Sequence, residues 1–250
     1  MKRRIITLSG MHRSGTSLVM SWLEQTGLSL FDKVGPNVGN RFGHFEDIQF
    51  CRLQGLAIKD RMPHSKGWII DNKQALNFTP EEQQKALALI DKRNKASDLW
   101  GWKDPRTTVF LAEWKKLIPD LKVIALYRPH QEVLHSLLKR ASKSPAPMLQ
   151  IDQAQALDNW LYYNDLLLEY KAQYPADCIL LPLYEVLNNN RATFEYLVDK
   201  FDLDLHYVDI HQLYDPVHLS KRENYLLSNQ HQVLCSAMEQ RLEENSDQLN

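Results

Sequence analysis

Short apolar runs alternate along the chain with longer segments in which apolar residues recur every three or four positions. Each short run predicts a buried strand, and the four clearest lie at residues 5–8, 99–102, 121–127 and 178–183. The longer segments predict amphipathic helices; an apolar stripe from Leu18 to Leu23, for example, follows the first run. Because strands and helices alternate, the pattern predicts an α/β fold with a mostly parallel sheet flanked by helices on both faces.

Two stretches between the first and second predicted strands have a pattern of their own. Residues 32–45 are rich in glycine, asparagine and aromatic residues and predict a long loop, which leads into a helix through Phe50 and Leu53. Farther on, Thr79-Pro80-Glu81-Glu82 is typical of a helix start, with threonine as cap, proline in the first turn and acidic residues behind it. We expect this second helix to serve as a lid or a scaffold.

Length and organisation predict a single domain. The 250 residues can build one sizeable core and contain no internal repeat, so we assign residues 1–250 to one unit. Its last helices are predicted over 193–201 and from Leu226 onward. The polar tail at about 243–250 is expected to be frayed.

Composition excludes several classes of protein. Thirty Lys and Arg against 31 Asp and Glu give a net charge of −1, which predicts no nucleic-acid partner. Three well-separated cysteines without metal-ligand spacing favour a reducing, cytoplasmic compartment over a disulfide framework. No apolar stretch is long enough to cross a bilayer. We therefore expect no transmembrane segment and no metal centre, and we look for chemistry at local basic sites.

The loop after the first strand carries the strongest chemical signal. It reads Gly-Met-His-Arg-Ser-Gly-Thr-Ser over residues 10–17 and connects a strand to a helix, where backbone N–H groups and the helix dipole favour an anion. A Walker loop for ATP would have lysine at Thr16, whereas here the cation is Arg13. A guanidinium suits a terminal phosphate or phosphosulfate without a metal. The alternative is an ordinary turn with a surface arginine.

Two other ionic clusters follow predicted strands, where open α/β sheets bind ligands. Lys103-Asp104-Pro105-Arg106 follows the second strand, although Lys103 and Asp104 could form no more than a surface ion pair. Arg128 follows the third strand, and Ser136 and Arg140 lie one turn apart on the next helix. These last two could converge with Arg128 or could belong to a solvated helix face.

A candidate proton acceptor lies before the helix through Phe50. His44, Glu46 and Asp47 stand at its start. The two carboxylates could simply favour the positive end of the helix dipole. Alternatively, a carboxylate or His44 is directed at the anion site as a general base.

Taken together, the loop at 10–17, the Lys103–Arg106 cluster and Arg128 with Ser136 and Arg140 resemble the sulfotransferases that use 3′-phosphoadenosine 5′-phosphosulfate (PAPS). The most similar type is the tyrosylprotein and carbohydrate sulfotransferases, whose loop reads PRSGTT. The resemblance spans residues 5 to about 205, and three motifs in order are more specific than any one of them.

The resemblance implies a P-loop-type fold and a set of roles. Arg13, with the backbone of Ser14, Gly15, Thr16 and Ser17, would hold the 5′-phosphosulfate. Arg128 and Ser136, supported by Arg140, would hold the 3′-phosphate, with Tyr184 near the donor. Lys103 would steady the bridging oxygen, and Glu46 would be the catalytic base with His44 as its rival. The family's C-terminal nucleotide-binding loop has no clear counterpart here, and Lys221 and Arg222 are candidates for it.

The implied reaction is in-line transfer of a sulfuryl group from PAPS to an acceptor hydroxyl, in which Arg13, Lys103 and Glu46 take part. The acceptor stays open among a glycan, a peptide tyrosine, a lipid and a small metabolite, and so does a homodimer. Two other functions are alternatives. An ATP-dependent small-molecule kinase would need lysine at Thr16, and a non-catalytic nucleotide-binding homologue would be expected to lose its cationic or basic residues.

Overall fold

A parallel sheet forms the centre of the computed structural model, which describes residues 3–35, 43–70, 76–214 and 223–249. Within these residues the sheet has four strands in the order β2-β1-β3-β4, and every pairing is parallel. The strands are β1 (Arg4–Ser9), β2 (Leu99–Lys103), β3 (Lys122–Tyr127) and β4 (Cys178–Pro182). All four lie where the apolar runs predict them.

Helices cover both faces of the sheet. In chain order they are α1 (Thr16–Gln25), α2 (Ile48–Arg61), α3 (Pro80–Ala96), α4 (Leu111–Leu117), α5 (His130–Ser142), α6 (Gln153–Gln173), α7 (Leu183–Asn188), α8 (Asn190–Phe201) and α9 (Asn229–Asn245). Short 3-10 segments occur at Pro105–Phe110, Pro147–Leu149 and Ile210–Gln212. Among the described residues, no helix is both long and apolar enough to span a membrane.

Side chains that alternate along the strands build a core on each face. Ile6 and Leu8 of β1 pack with Trp22 of α1 and with residues of α7 and α8. On the other face, Ile5 joins a larger core that contains Phe50 and residues of α3, α5, α6 and α9. The prediction of a sheet flanked on both faces is therefore confirmed, and β1 lies at its centre.

Helix starts in the middle of the chain use side-chain caps. Thr79 and Glu82 form a capping box at the start of α3, as its sequence predicts. Asp47 caps α2 by accepting a hydrogen bond of 2.9 Å from the Gln49 N–H. Of the two acidic residues at this helix, Asp47 therefore has the structural role, which leaves Glu46 for other contacts.

At each edge of the sheet, a residue from elsewhere in the chain forms a pair of hydrogen bonds with the backbone of the outer strand. Ser29 bridges β2, since its N–H donates to Leu99 O at 3.3 Å and its carbonyl accepts from Gly101 N at 3.1 Å. Asp247 meets β4 through bonds of 2.9 Å from its N–H to Leu180 O and 2.8 Å from Leu180 N to its carboxylate.

The polar C-terminal tail is anchored, which corrects the prediction that it is frayed. Helix α9 continues to Asn245, and the carboxylate of Asp247 accepts from Lys171 at 2.6 Å, from Lys200 at 2.7 Å and from the Tyr196 hydroxyl at 2.7 Å. The prediction was wrong because a polar tail can be ordered by a buried charge network that the local sequence does not reveal.

We expect Asp247→Ala to lower the free energy of unfolding by about 3 kcal/mol, because it leaves two lysines without their shared carboxylate. Burial favours a higher pKa for Asp247, but its hydrogen bonds from the lysines lower the pKa below the usual 3.8. Its contribution to stability is therefore complete above that pH and is lost as the pH falls through the folded-state pKa. Urea unfolding at pH 7 and pH 3 measures both effects.

The matched control is Glu244→Gln, because Glu244 is exposed on the same helix end and bonds only to Gln240 among the described contacts. It should stay within about 0.5 kcal/mol of the wild type. Equal stability of Asp247→Ala and the wild type would show that the tail contributes nothing to the fold.

Candidate active site

The loop between β1 and α1 has a conformation that its glycines make possible. Gly15 has φ +88°, and a Cβ there would lie 2.6 Å from the Leu183 side chain. A Cβ at Gly10 would lie 2.3 Å from Leu126 O. Arg13 also lies in the left-handed region, with φ +73°. Since the first N–H groups of α1 have no intrahelical acceptor, the loop offers donors to an anion at this point.

Arg13, Ser136 and Arg128 converge beside this loop from three elements. Arg13 Nε donates to Ser136 Oγ at 2.8 Å, and an Arg128 Nη donates to the Arg13 carbonyl at 3.4 Å. Arg128 Nε also donates to Glu132 at 2.5 Å. Burial, and then the charge of Arg128, lower the pKa of Arg13. Two guanidinium groups held this close favour an anionic ligand.

The alternative that Ser136 belongs to a solvated helix face is excluded, because Ser136 is 4% exposed and bonds to Arg13. Helix α5 therefore turns this residue toward the loop. The apolar spacing of α5 correctly predicts its core face, but the contact with Arg13 depends on how β1 and β3 lie side by side.

Lys103 lies at the centre of the ionic contacts behind the loop. It is 1% exposed, and its Nζ donates to Ser17 Oγ at 3.1 Å and to Glu46 Oε1 at 2.8 Å. The suggestion of a surface pair with Asp104 is wrong. Asp104 is fully buried and instead accepts from Arg106 Nε at 2.9 Å and from Gln54 at 2.8 Å.

Glu46 is held as a carboxylate by Lys103. Burial acts to raise its pKa, but the charge and hydrogen bond of Lys103, together with the charges of Arg106 and His44, hold the pKa below the usual 4.5. The structure therefore favours the interpretation in which Glu46 faces the anion site over the one in which it serves the dipole of α2.

His44 lies beside the same pair. Its carbonyl accepts from Ser17 Oγ at 3.2 Å, and its Nδ1 lies 4.0 Å from Glu46 Oε1. Its Nε2 is buried and has no hydrogen-bond partner among the described residues. Burial, only partly opposed by Glu46, lowers the pKa of His44 below 6.5, so the ring is neutral at pH 7.

Buried polar atoms without partners concentrate around this site. They include His12 Nε2, Ser14 Oγ, His44 Nε2, and both Nε and Nη2 of Arg140. Because unsatisfied buried polar groups are costly, such a cluster indicates a ligand that supplies the missing partners. The donors of Arg140 in particular fit an anion such as a phosphosulfate or a carboxylate.

Glu46, Cys51 and Asp104 place one ligand atom each within 4.8 Å of one another, a spacing that could hold a metal ion. The two carboxylates already pair with Lys103 and Arg106, and burial raises the pKa of the Cys51 thiol. These three residues are therefore part of the ionic network beneath the loop.

Other predicted residues lie apart from this cluster. Tyr184 is in the first turn of α7 and about half exposed, whereas its neighbour Leu183 packs against Gly15. A role for Tyr184 at the donor stays a prediction. Lys221 and Arg222 lie outside the described residues.

Two residues of the site were not singled out from the sequence. The His12 ring lies 4.8 Å from the ring of Trp68 and 6.2 Å from that of Tyr163. His12 is inside the loop motif, so its position was a usable signal. Trp68 had no such signal, because it belongs to no motif and lies at the site only as a result of tertiary packing.

Comparison with known proteins identifies the family. The model of the sulfotransferase family matches residues 6–207, which is most of the chain. The chain belongs to the sulfotransferase family. No curated protein matches this sulfotransferase in sequence.

Solved sulfotransferases share its fold. The sulfotransferase domain of the Synechococcus PCC 7002 olefin synthase has 16% identity and a TM-score of 0.55, with 96% of each chain covered. The sulfotransferase domain of the curacin biosynthetic pathway has 16% identity and a TM-score of 0.53, with 96% of this chain and 98% of that one covered. Sulfotransferase STF1 of Mycobacterium tuberculosis H37Rv has 15% identity and a TM-score of 0.59, with 97% and 77% covered. This likeness confirms the predicted P-loop-like α/β fold.

We expect Lys103→Met to raise the pKa of Glu46, because the largest charge that opposes burial is then removed while burial remains. A ¹³C NMR titration of the glutamate carboxyl carbons measures this shift, with the Glu46 signal assigned by its loss in Glu46→Gln. As a control, Lys85→Met removes a lysine that pairs with Glu81 on α3 and should leave Glu46 unchanged. An unshifted Glu46 in Lys103→Met would contradict the electrostatic description of the site.

Proposed function

We propose that this sulfotransferase moves a sulfuryl group from PAPS to an acceptor hydroxyl by in-line transfer. The supporting observation is the convergence of Arg13, Arg128 and Ser136 beside a loop that ends at the buried Lys103–Glu46 pair. The two arginines and Ser136 suit a nucleotide with two anionic groups. The Lys103–Glu46 pair suits proton transfer. A relation to the tyrosylprotein and carbohydrate type is part of the proposal and rests on the loop sequence.

Donor recognition divides between the loop and α5. In the proposal, Arg13 and the backbone of residues 14–17 hold the 5′-phosphosulfate at the start of α1. Arg128 and Ser136 hold the 3′-phosphate, which separates this donor from ATP. The existing contact between Arg13 and Ser136 keeps the two anion positions next to each other.

Catalysis is proposed to depend on position and charge. The donor supplies an activated sulfuryl group, and by analogy with phosphoryl transfer the transition state spreads negative charge over its oxygens. Lys103 lies behind the loop, where its ammonium can stabilise charge on the bridging oxygen. Because Lys103 also binds Glu46, a shift of Lys103 toward that oxygen would weaken its hold on Glu46 and leave burial to raise the basicity of Glu46.

Glu46 is the proposed base, and His44 is a second candidate for a specific reason. Glu46 is ionised and bound to Lys103, whereas His44 Nε2 is neutral, buried and without a partner. Either group could take the acceptor's proton.

The two alternative functions receive less support. A kinase would use lysine where this chain has Thr16, and the family model is that of sulfotransferases. A non-catalytic homologue would not need the contacts that tie Lys103 to Ser17 and Glu46. A cytoplasmic location and a homodimer remain predictions, and the acceptor is addressed below.

Calorimetric titration with adenosine 3′,5′-bisphosphate tests the donor. AMP and ATP–Mg²⁺ are titrated separately, and the three affinities are compared. We expect wild-type protein to prefer the bisphosphate. Arg13→Ala should weaken both bisphosphate and AMP by at least about tenfold, since it removes a cation common to both. Arg128→Ala should weaken only the bisphosphate and so reduce its advantage over AMP.

Lys139→Gln is the control for these variants, because it removes an exposed cation from the same helix without touching the site. Preference for ATP–Mg²⁺ in the wild-type protein would reject the donor assignment and favour the kinase.

Glu46→Gln and His44→Asn identify the base. We expect Glu46→Gln to lower kcat by about 10²–10⁴ and to leave bisphosphate affinity nearly unchanged, because only proton removal is affected. The base acts deprotonated and the pKa of Glu46 is lowered, so kcat/KM should stay level as the pH falls until below about 4.5. A loss of kcat/KM that begins already above pH 4.5, together with a kcat of His44→Asn that falls as far as is expected for Glu46→Gln, would assign the base to His44.

A further inference from the structure

Arg140 has donors for which no described residue is an acceptor. Its Nε and Nη2 are buried and have no hydrogen-bond partner, and its guanidinium lies over the Trp68 ring, 4.9 Å from the centroid. These two nitrogens lie on one edge of the guanidinium and form the fork that binds a carboxylate or phosphate through two parallel hydrogen bonds. The aromatic face holds the group in place without consuming its donors.

Arg140 interacts electrostatically with both the donor cluster and the candidate bases. The charges that act most on Arg140 are those of Arg13 and Glu46, and Arg140 in turn acts on His12 and His44. Ser136, one turn earlier on α5, is the residue that bonds to Arg13. Helix α5 therefore carries Ser136, which contacts Arg13, and Arg140, whose charge also acts on His44 and is acted on by Glu46, the two candidate bases that an acceptor hydroxyl must approach.

Among the described residues Arg140 forms no ion pair, whereas the carboxylates near it pair with other cations. Four cations surround His12, namely Arg140, Arg106, Lys103 and Arg13. The carboxylates of Glu46 and Asp104 pair with Lys103 and Arg106. In the proposed function Arg13 serves the phosphosulfate, which leaves only Arg140 of these four without an anion.

Burial and the charge of Arg13 lower the pKa of Arg140 to about 10, which agrees with a cation that lacks a counter-ion. His12 completes the surroundings. Burial and the same four cations hold its pKa well below 6.5, so it is a neutral ring whose Nε2 is free to form a hydrogen bond.

We propose that Arg140, supported by Trp68 and next to His12, binds an anionic group of the acceptor. The acceptor is then a hydroxyl compound that also carries a carboxylate, phosphate or sulfate. This inference rests on the proposed function, and it moves Arg140 from support of the 3′-phosphate to selection of the acceptor.

The test titrates the protein with benzoate and with benzamide, which have nearly the same shape but differ in charge. Both are titrated with and without saturating adenosine 3′,5′-bisphosphate, and the buried Arg140 Nε–H resonance in ¹⁵N NMR reports binding. We expect benzoate to bind at least about tenfold more tightly than benzamide, as a two-point charged contact implies. Arg140→Gln should abolish that preference, and Lys139→Gln should retain it.

A conservative variant controls for the possibility that Arg140→Gln acts by disturbing the structure. Arg140→Lys keeps the charge but not the fork, so it should weaken benzoate while retaining some preference over benzamide. Both Arg140 variants should bind the bisphosphate within about twofold of the wild type, since a contact worth a bidentate ion pair would change affinity by more.

Three results would overturn the inference: no preference for benzoate in the wild type, a preference that survives in Arg140→Gln, or a loss of bisphosphate affinity in Arg140→Gln as large as in Arg128→Ala. A wild-type protein that does not bind the bisphosphate would instead reject the proposed donor. The titrations without nucleotide would still decide whether Arg140 binds an anion.

Discussion

The buried ammonium of Lys103 is the charge on which the candidate site depends. A lysine that is 1% exposed is tolerated only with partners, and its partners here are Ser17 of α1 and Glu46 from the segment before α2. Through these two hydrogen bonds, the Lys103 ammonium connects the carboxyl end of β2 with the start of α1 and with the segment before α2. It also keeps Glu46 ionised inside the protein.

A second group of cations is organised around Arg13, and the two groups share the loop that joins β1 to α1. Arg13 meets Ser136 and Arg128 on one side of this loop, while Ser17 meets Lys103 on the other. Parallel strands make this possible, because β2, β1 and β3 all deliver their following residues to the same edge of the sheet. The proposed chemistry needs anion binding and proton transfer side by side, and this order of strands brings the residues proposed for both to one edge of the sheet.

The sequence was sufficient to predict the strands, the sheet type and the loop, because each depends on local apolar pattern or on a short motif. It was also sufficient to bring Lys103, Arg128 and Ser136 forward as candidates, since strand ends meet at one edge. The partners of these residues could not be predicted from the sequence. That Lys103 pairs with Glu46 and not with Asp104, or that Arg140 lies on Trp68, depends on tertiary packing across more than 50 residues. The anchored tail was missed for the same reason.

The contacts of Ser29 and Asp247 with the outer strands have a consequence for self-association. An open parallel sheet has two exposed edges, each of which can recruit a strand from another molecule. Here the middle of β2 is already paired with Ser29 and the middle of β4 with Asp247. A neighbouring copy that approaches either edge therefore finds backbone groups at its centre already satisfied, and continuous extension of the sheet between molecules is blocked.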